Sequence, residues 1–186
     1  KRKNLSIFIL LLSVFFTFYS CNSNKKSVDN SEVSKESLKN AFANNFHIGT
    51  TLNAWQIMGR QPEELKVATE NFNSIVAENI MKSARIQPKE GEFNFELADE
   101  FVKIGEENNM HIHGHTLIWH SQAPDWFFVD KDGNTVSKEV LTQRMKDHIH
   151  TVVGRYKGRI DSWDVVNEVI DNDGSYRPTT WANSIG

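Results

Sequence analysis

The sequence predicts an α/β fold, a TIM-type (β/α)8 barrel of which about the first four strand–helix units fall within the 186 residues. Three observations carry that prediction. Short β-type runs alternate with helical patterns along most of the chain, which argues for a parallel sheet with crossover helices. The turn after the first run reads Gly49-Thr50-Thr51-Leu52, not the G-x-G-x-x-G of a dinucleotide-binding sheet. Polar residues gather where the runs end, at Glu78, at His115 with Trp119 and at Asn167-Glu168. Barrels build their sites on that face.

Residues 46–50 read as the first strand, followed by a loop through Trp55 and Gly59. Pro62 near the first helical position, with Glu63 and Glu64 behind it, opens a helix. Residues 72–76 form a second strand that ends at Ala77-Glu78-Asn79. A loop through Pro88 and Gly91 leads to a helix over 96–108, where Leu97, Phe101, Val102 and Ile104 supply one apolar face. The third strand runs 111–119, and a long amphipathic helix follows over 140–156. The fourth strand, 160–166, ends at Asn167-Glu168. Turn signals at Asp173-Gly174 and Arg177-Pro178 precede another helix near Trp181.

The front of the chain stands apart. Lys1-Arg2-Lys3 is a positive region, and 5–19 is an apolar run broken only by Ser6, Ser13 and Thr17. That run is too short and too early for a comfortable membrane span, and residues 1–21 read as an export signal. Cys21, the only cysteine, follows Ser20 as in the lipidation site of a bacterial lipoprotein; the alternative is a plain secretory signal with an incidental Cys. Residues 22–38 are polar and read as a disordered tether, which leaves 39–186 for the folded domain. The expected location is therefore outside the cell, lipid-anchored to a bacterial envelope, with membrane contact only through signal or anchor. The net charge is -3, with Lys and Arg scattered, so no basic patch points to nucleic acid.

Four stretches carry a resemblance. They are residues 73–82, from Asn73 through Glu78-Asn79 to Lys82; Gly91-Glu92-Phe93 with Ala98-Asp99; 114–122 with Pro124 and Trp126; and 163–171, which contains Trp163-Asp164-Val165-Val166-Asn167-Glu168. In this order and spacing they resemble glycoside hydrolase family 10, the endo-β-1,4-xylanases, over most of 46–186. The resemblance implies retaining hydrolysis of internal β-1,4-xylosidic bonds in xylan or xylo-oligosaccharides by a monomer, with no cofactor and no metal. It also implies that the nucleophilic Glu lies on the seventh barrel strand, which these residues do not reach. The chain then reads as the front of a catalytic domain, inactive without the rest.

Glycosidic cleavage needs one carboxylic acid to protonate the departing oxygen and a second carboxylate on the other face of the sugar. A Glu at a strand end inside an apolar pocket can hold its proton near neutral pH. The resemblance assigns that general acid/base role to Glu168, and gives Asn167 a hydrogen bond to the sugar 2-hydroxyl. Glu78, Asn79 and Lys82 combine a carboxylate, an amide and an ammonium that grip sugar hydroxyls, on the glycone side by the resemblance. His115 and Trp119 are four apart on one strand and so on one face; the resemblance makes both lining residues of the sugar pocket around the scissile bond, with Gln122 nearby. Trp55 is divided between cleft lining, with Gln56, and core; Trp126, Phe127 and Phe128 read as packing or loop rim, and Trp163 as core.

Ile80 and Ser83 stand where that family more usually carries Glu and an aromatic, and His113 where Arg is common. Two rival classes remain open at this point. One is a surface protein that binds xylan without cleaving it. The other is a metal hydrolase using His111 and His113, although these two begin their strand and so sit at the wrong end of a barrel.

Overall fold

The computed structural model describes residues 37–186. The leader expected at 1–21, Cys21 within it, and the expected tether up to residue 36 lie outside the described residues. In chain order the elements are α1 (Leu38–Ala41), β1 (Gly49–Leu52), α2 (Ala54–Ile57), α3 (Pro62–Asn71), β2 (Ser74–Ala77), α4 (Ser83–Ile86), α5 (Glu96–Glu107), β3 (His111–Gly114), β4 (Ile118–Trp119), a 3-10 turn at Asp125–Phe127, α6 (Lys138–Arg155), β5 (Ser162–Trp163), β6 (Val166–Asn167) and α7 (Thr180–Ile185).

The order β1-β2-β3-β5 forms one parallel sheet, and β4 pairs with β6 as a second parallel ladder. Sequential strands joined by helices and lying side by side in chain order make the wall of a (β/α)8 barrel, the fold class the sequence predicts. No helix among the described residues is long and apolar enough to cross a membrane.

Local chemistry explains the longer helices. In α3, Pro62 occupies the first turn with Glu63 and Glu64, where a missing N–H costs nothing and acids meet the positive helix end. In α5, Ala98, Phe101, Val102, Ile104 and Gly105 are buried at helical spacing, so one face packs on the sheet. Gly105 makes that contact possible, since a Cβ there would come within 2.5 Å of the Ile112 side chain. In α6, Ser137 caps the start by accepting from Val140 N, and Leu141, His148 and Val152 are the buried positions. Two bidentate pairs, Arg155 with Asp99 and Arg159 with Glu106, tie the end of α6 and the turn after it to α5.

The strands depart from the expected boundaries. The first strand begins at Gly49 rather than Phe46, because Asn73 Oδ1 takes the Ile48 N–H at 2.7 Å and the ladder starts only at Gly49↔Ser74. The expected third strand, 111–119, is two strands. β3 stops at Gly114, against which the Trp163 ring packs closely enough that any Cβ would clash at 2.3 Å. Asp164 N donates to Gly114 O, but Asp164 O accepts from Leu117 N, where a regular parallel ladder would use residue 116. One residue is therefore extra, a bulge, and the buried Thr116 turns its hydroxyl onto Asp164 O at 3.0 Å. The expected fourth strand is split at the same level into β5 and β6. His115 and Trp119 consequently do not share a strand face, contrary to expectation.

Candidate active site

The bulge re-aims the chain just where the polar residues collect. After it, β4 and β6 pair in the register Ile118↔Val166 and Trp119↔Asn167, which sets the indole beside the residue that follows Asn167. Trp119 Nε1 donates to Glu168 Oε2 at 3.0 Å, and His120 Nε2 lies 3.7 Å from the same oxygen. Trp181 Nε1 in turn donates to Trp119 O at 2.9 Å and fixes the β4 end from α7. Glu168 itself is 48 % exposed, and Val165 and Val166 before it are exposed as well. The carboxylate opens onto a groove.

That groove, about 560 Å³, is lined by Trp119, His120, Asn167, Glu168, Tyr176 and Arg177 among others. The end of β2 lies on the other side of the Trp119 ring, which Lys82 Nζ meets at 4.7 Å. Glu78 is exposed there, its backbone N–H bonded to Leu52 O, and Asn79 follows. Lys82 is buried and donates from Nζ to Asn79 Oδ1 at 2.9 Å, with Nζ 4.7 Å above the Trp119 ring. Gln122 Nε2 donates to the same Asn79 oxygen at 3.2 Å. Burial pulls the Lys82 ammonium below its usual range, while the negative fields of Glu78 and Glu168 work to raise it. The ammonium is thus coupled to both carboxylates. Glu78, Asn79, Lys82, Trp119, Gln122 and Glu168 form one connected cluster, and Asn167 pairs with Trp119 through the backbone ladder.

His115 joins from the bulge, its ring 6.4 Å from that of Trp119. Its Nδ1 bonds Asp164 Oδ2 at 2.8 Å, which His113 Nε2 also approaches at 3.2 Å. Burial works to raise the Asp164 carboxyl, but the hydrogen bonds from His115 and His113 outweigh it and hold it below the usual carboxylate range. His111 Nε2 and His113 Nδ1 both bond Ser162 Oγ, at 2.9 and 2.8 Å. Among the described residues no group of three or more His, Cys, Asp or Glu has the arrangement to hold a metal ion.

Trp55 is 53 % exposed with Arg60 over its ring at 4.7 Å, so it is not core. Gln56 completes a capping box with Asn53 at the start of α2. Trp126 packs on the buried Phe127 and donates to Gln87 O, and Trp163 is partly buried against Gly114. Four site neighbours carry no role in the sequence reading: His120, Asp164, Tyr176 and Arg177. Only Asp164 left a signal, as a charge set between Trp163 and Val165-Val166 in a strand run.

A parallel β/α wall whose strand ends gather carboxylate, amide, ammonium and indole groups along an open groove is the arrangement on which a barrel protein builds its binding site. The family model for Glycosyl hydrolase family 10 matches residues 37–186, and the chain belongs to that family. The endo-1,4-beta-xylanase A of Xylanibacter ruminicola is 48 % identical over 149 residues, covering 80 % of this chain and 40 % of that protein. The endo-1,4-beta-xylanase A of Halalkalibacterium halodurans is 45 % identical over 161 residues, with 81 % and 40 % covered. A GH10 endoxylanase structure from a sugarcane soil metagenome superposes with a TM-score of 0.78 at 43 % identity, over 81 % of this chain and 44 % of that one. The chain spans about two fifths of the length of these curated relatives.

Proposed function

We propose that this chain is the front part of the catalytic domain of an endo-1,4-β-xylanase, which cleaves internal β-1,4-xylosidic bonds with retention. Glu168 is the general acid/base, and a carboxylate from a later barrel strand, outside these residues, is the nucleophile. Asn167 holds the sugar 2-hydroxyl; Glu78, Asn79 and Lys82 grip the glycone side; His115, Trp119 and Gln122 line the pocket around the scissile bond. The reaction belongs to the full-length protein, acting as a monomer on xylan or xylo-oligosaccharides without cofactor or metal. The observation that carries this reading is the Glu168 carboxylate, hydrogen-bonded to the Trp119 indole in the same groove as Asn167. The xylanase identity of the relatives supports the substrate.

The test is the configuration of the first product. Full-length protein is mixed with β-1,4-xylan and the new reducing ends are followed by proton NMR. Retention predicts the β-anomer first, mutarotating later to the mixture. An initial α-anomer, or no cleavage of xylan, would overturn the reading.

The front of the chain supports export and anchoring through Cys21. In bacterial cells the full-length protein is expected in the membrane fraction, and Cys21→Ser is expected to release it. Unchanged membrane association of Cys21→Ser would exclude lipidation at that residue.

A further inference from the structure

Glu168 has φ of +54°, in the left-handed region that a residue with a Cβ occupies only when its surroundings hold it there. What surrounds it is the hairpin that follows β6. Ile170 and Tyr176 pair as an antiparallel bridge. Within it Asp171 N donates to Ser175 O at 2.8 Å and Gly174 N to Asp171 O at 2.9 Å. The hairpin brings Arg177 back beside its own start.

Arg177 then makes three separate attachments. Its backbone N–H donates to Val169 O at 2.9 Å, its Nε donates to Glu168 O at 3.1 Å, and its Nη2 lies 3.5 Å from Asp171 Oδ1. The guanidinium pairs with Asp171, not with the Glu168 carboxylate. It reaches position 168 only through the main chain. A planar fork suits this task, since two nitrogens can serve a carbonyl and a carboxylate together, which an ammonium on a flexible stem does less well.

We propose that Arg177 is a positioning residue for the acid/base step: it pins the peptide after Glu168, and so aims the carboxyl at the bond to be cleaved. The inference rests on the acid/base reading of Glu168. If the Glu168–Val169 peptide turned, the side chain would swing with its Cα and leave Trp119 Nε1, now 3.0 Å away. Proton delivery depends steeply on such geometry, whereas sugar binding by the β2 end does not pass through this hairpin.

The experiment compares full-length Arg177→Gln and Arg177→Lys with Glu168→Ala on two substrates. One is xylan, whose leaving group needs a proton. The other is an aryl β-xylobioside with a nitrophenolate leaving group, whose departure needs none. Arg177→Gln is expected to lower kcat on xylan about tenfold, with KM little changed and the first-step burst on the aryl substrate near parental. Arg177→Lys is expected to recover part of the loss. Equal losses on both substrates would mark general damage to the fold and overturn the proposal, as would parental activity on xylan. If Glu168→Ala shows the split between substrates and Arg177→Gln does not, the proposal alone fails. If Glu168→Ala shows no split, the acid/base reading fails and this inference with it. Should Arg177→Gln not fold, Asp171→Asn removes only the guanidinium's counter-charge; a smaller split of the same sign is expected, and none would overturn the proposal.

Discussion

Replacing Glu168 by Ala in the full-length protein is expected to slow xylan hydrolysis by about 10²–10⁴-fold, the usual contribution of a general acid or base. The two halves of a retaining reaction make the prediction sharper than a loss of activity. Departure of a xylan leaving group needs the proton that the proposed acid at position 168 would supply, so the first half slows. A nitrophenolate departs unaided, so on an aryl xylobioside the first half continues. The second half then stalls, because no base deprotonates the water, and glycosyl-enzyme accumulates as a burst of nitrophenol. Azide needs no base and is expected to restore turnover, yielding a glycosyl azide.

Glu78→Ala serves as the contrast. It removes the other carboxylate whose field acts on Lys82, and its loss is expected on both substrates alike, without azide rescue. Parental xylan hydrolysis by Glu168→Ala would remove the acid/base assignment. Azide rescue of Glu78→Ala instead would mean that the two carboxylates had been given each other's roles.

What the sequence made legible follows a physical division. Helix α5 was readable because its signal is local: apolar residues at helical spacing, of which Phe101, Val102 and Ile104 are buried. The parallel order of the strands was readable from their alternation with helices. The break after Gly114 was not, because it depends on the Trp163 ring and on Thr116 bonding Asp164 O, 48 residues away in the chain. The pairing of His115 with Asp164 spans 49 residues and was hidden for the same reason. The α2 cap, by contrast, is a missed local signal, since Asn53 and Gln56 stand at capping-box spacing. In the site, expectation placed His115 and Trp119 together through a shared strand face. The structure brings them near each other through a bulge, so the proximity arises from a different cause.

The second large effect concerns stability and lies away from the groove. His148 is buried on α6, stacked near Phe93 and edge-on to Phe127, with Nδ1 2.8 Å from Gln87 Oε1. Burial pushes its pKa from 6.5 down to about 4, and a hydrogen bond to the Leu117 backbone opposes this only in part. The folded state therefore binds the proton less readily than the unfolded chain. Above pH 6.5 both are neutral at this residue and nothing is lost. As pH falls below 6.5 the unfolded chain takes up the proton first, and stability declines until the folded pKa near 4 is passed. A gap of that size corresponds to about 3 kcal/mol. The carboxylates act in a lower window. Asp99, held down mainly by its hydrogen bond from Arg155, and Asp164 contribute stability above 3.8 and lose it below. Urea midpoints of the full-length protein, measured stepwise from pH 7 to pH 3, are therefore expected to fall in two stages. His148→Gln is expected to start lower at pH 7, because it disturbs the packing around Phe127, yet to lose the upper stage while keeping the lower one. If the parent shows no decline between pH 6.5 and 4, or if His148→Gln declines there as steeply as the parent, the buried imidazole is not what the acid attacks.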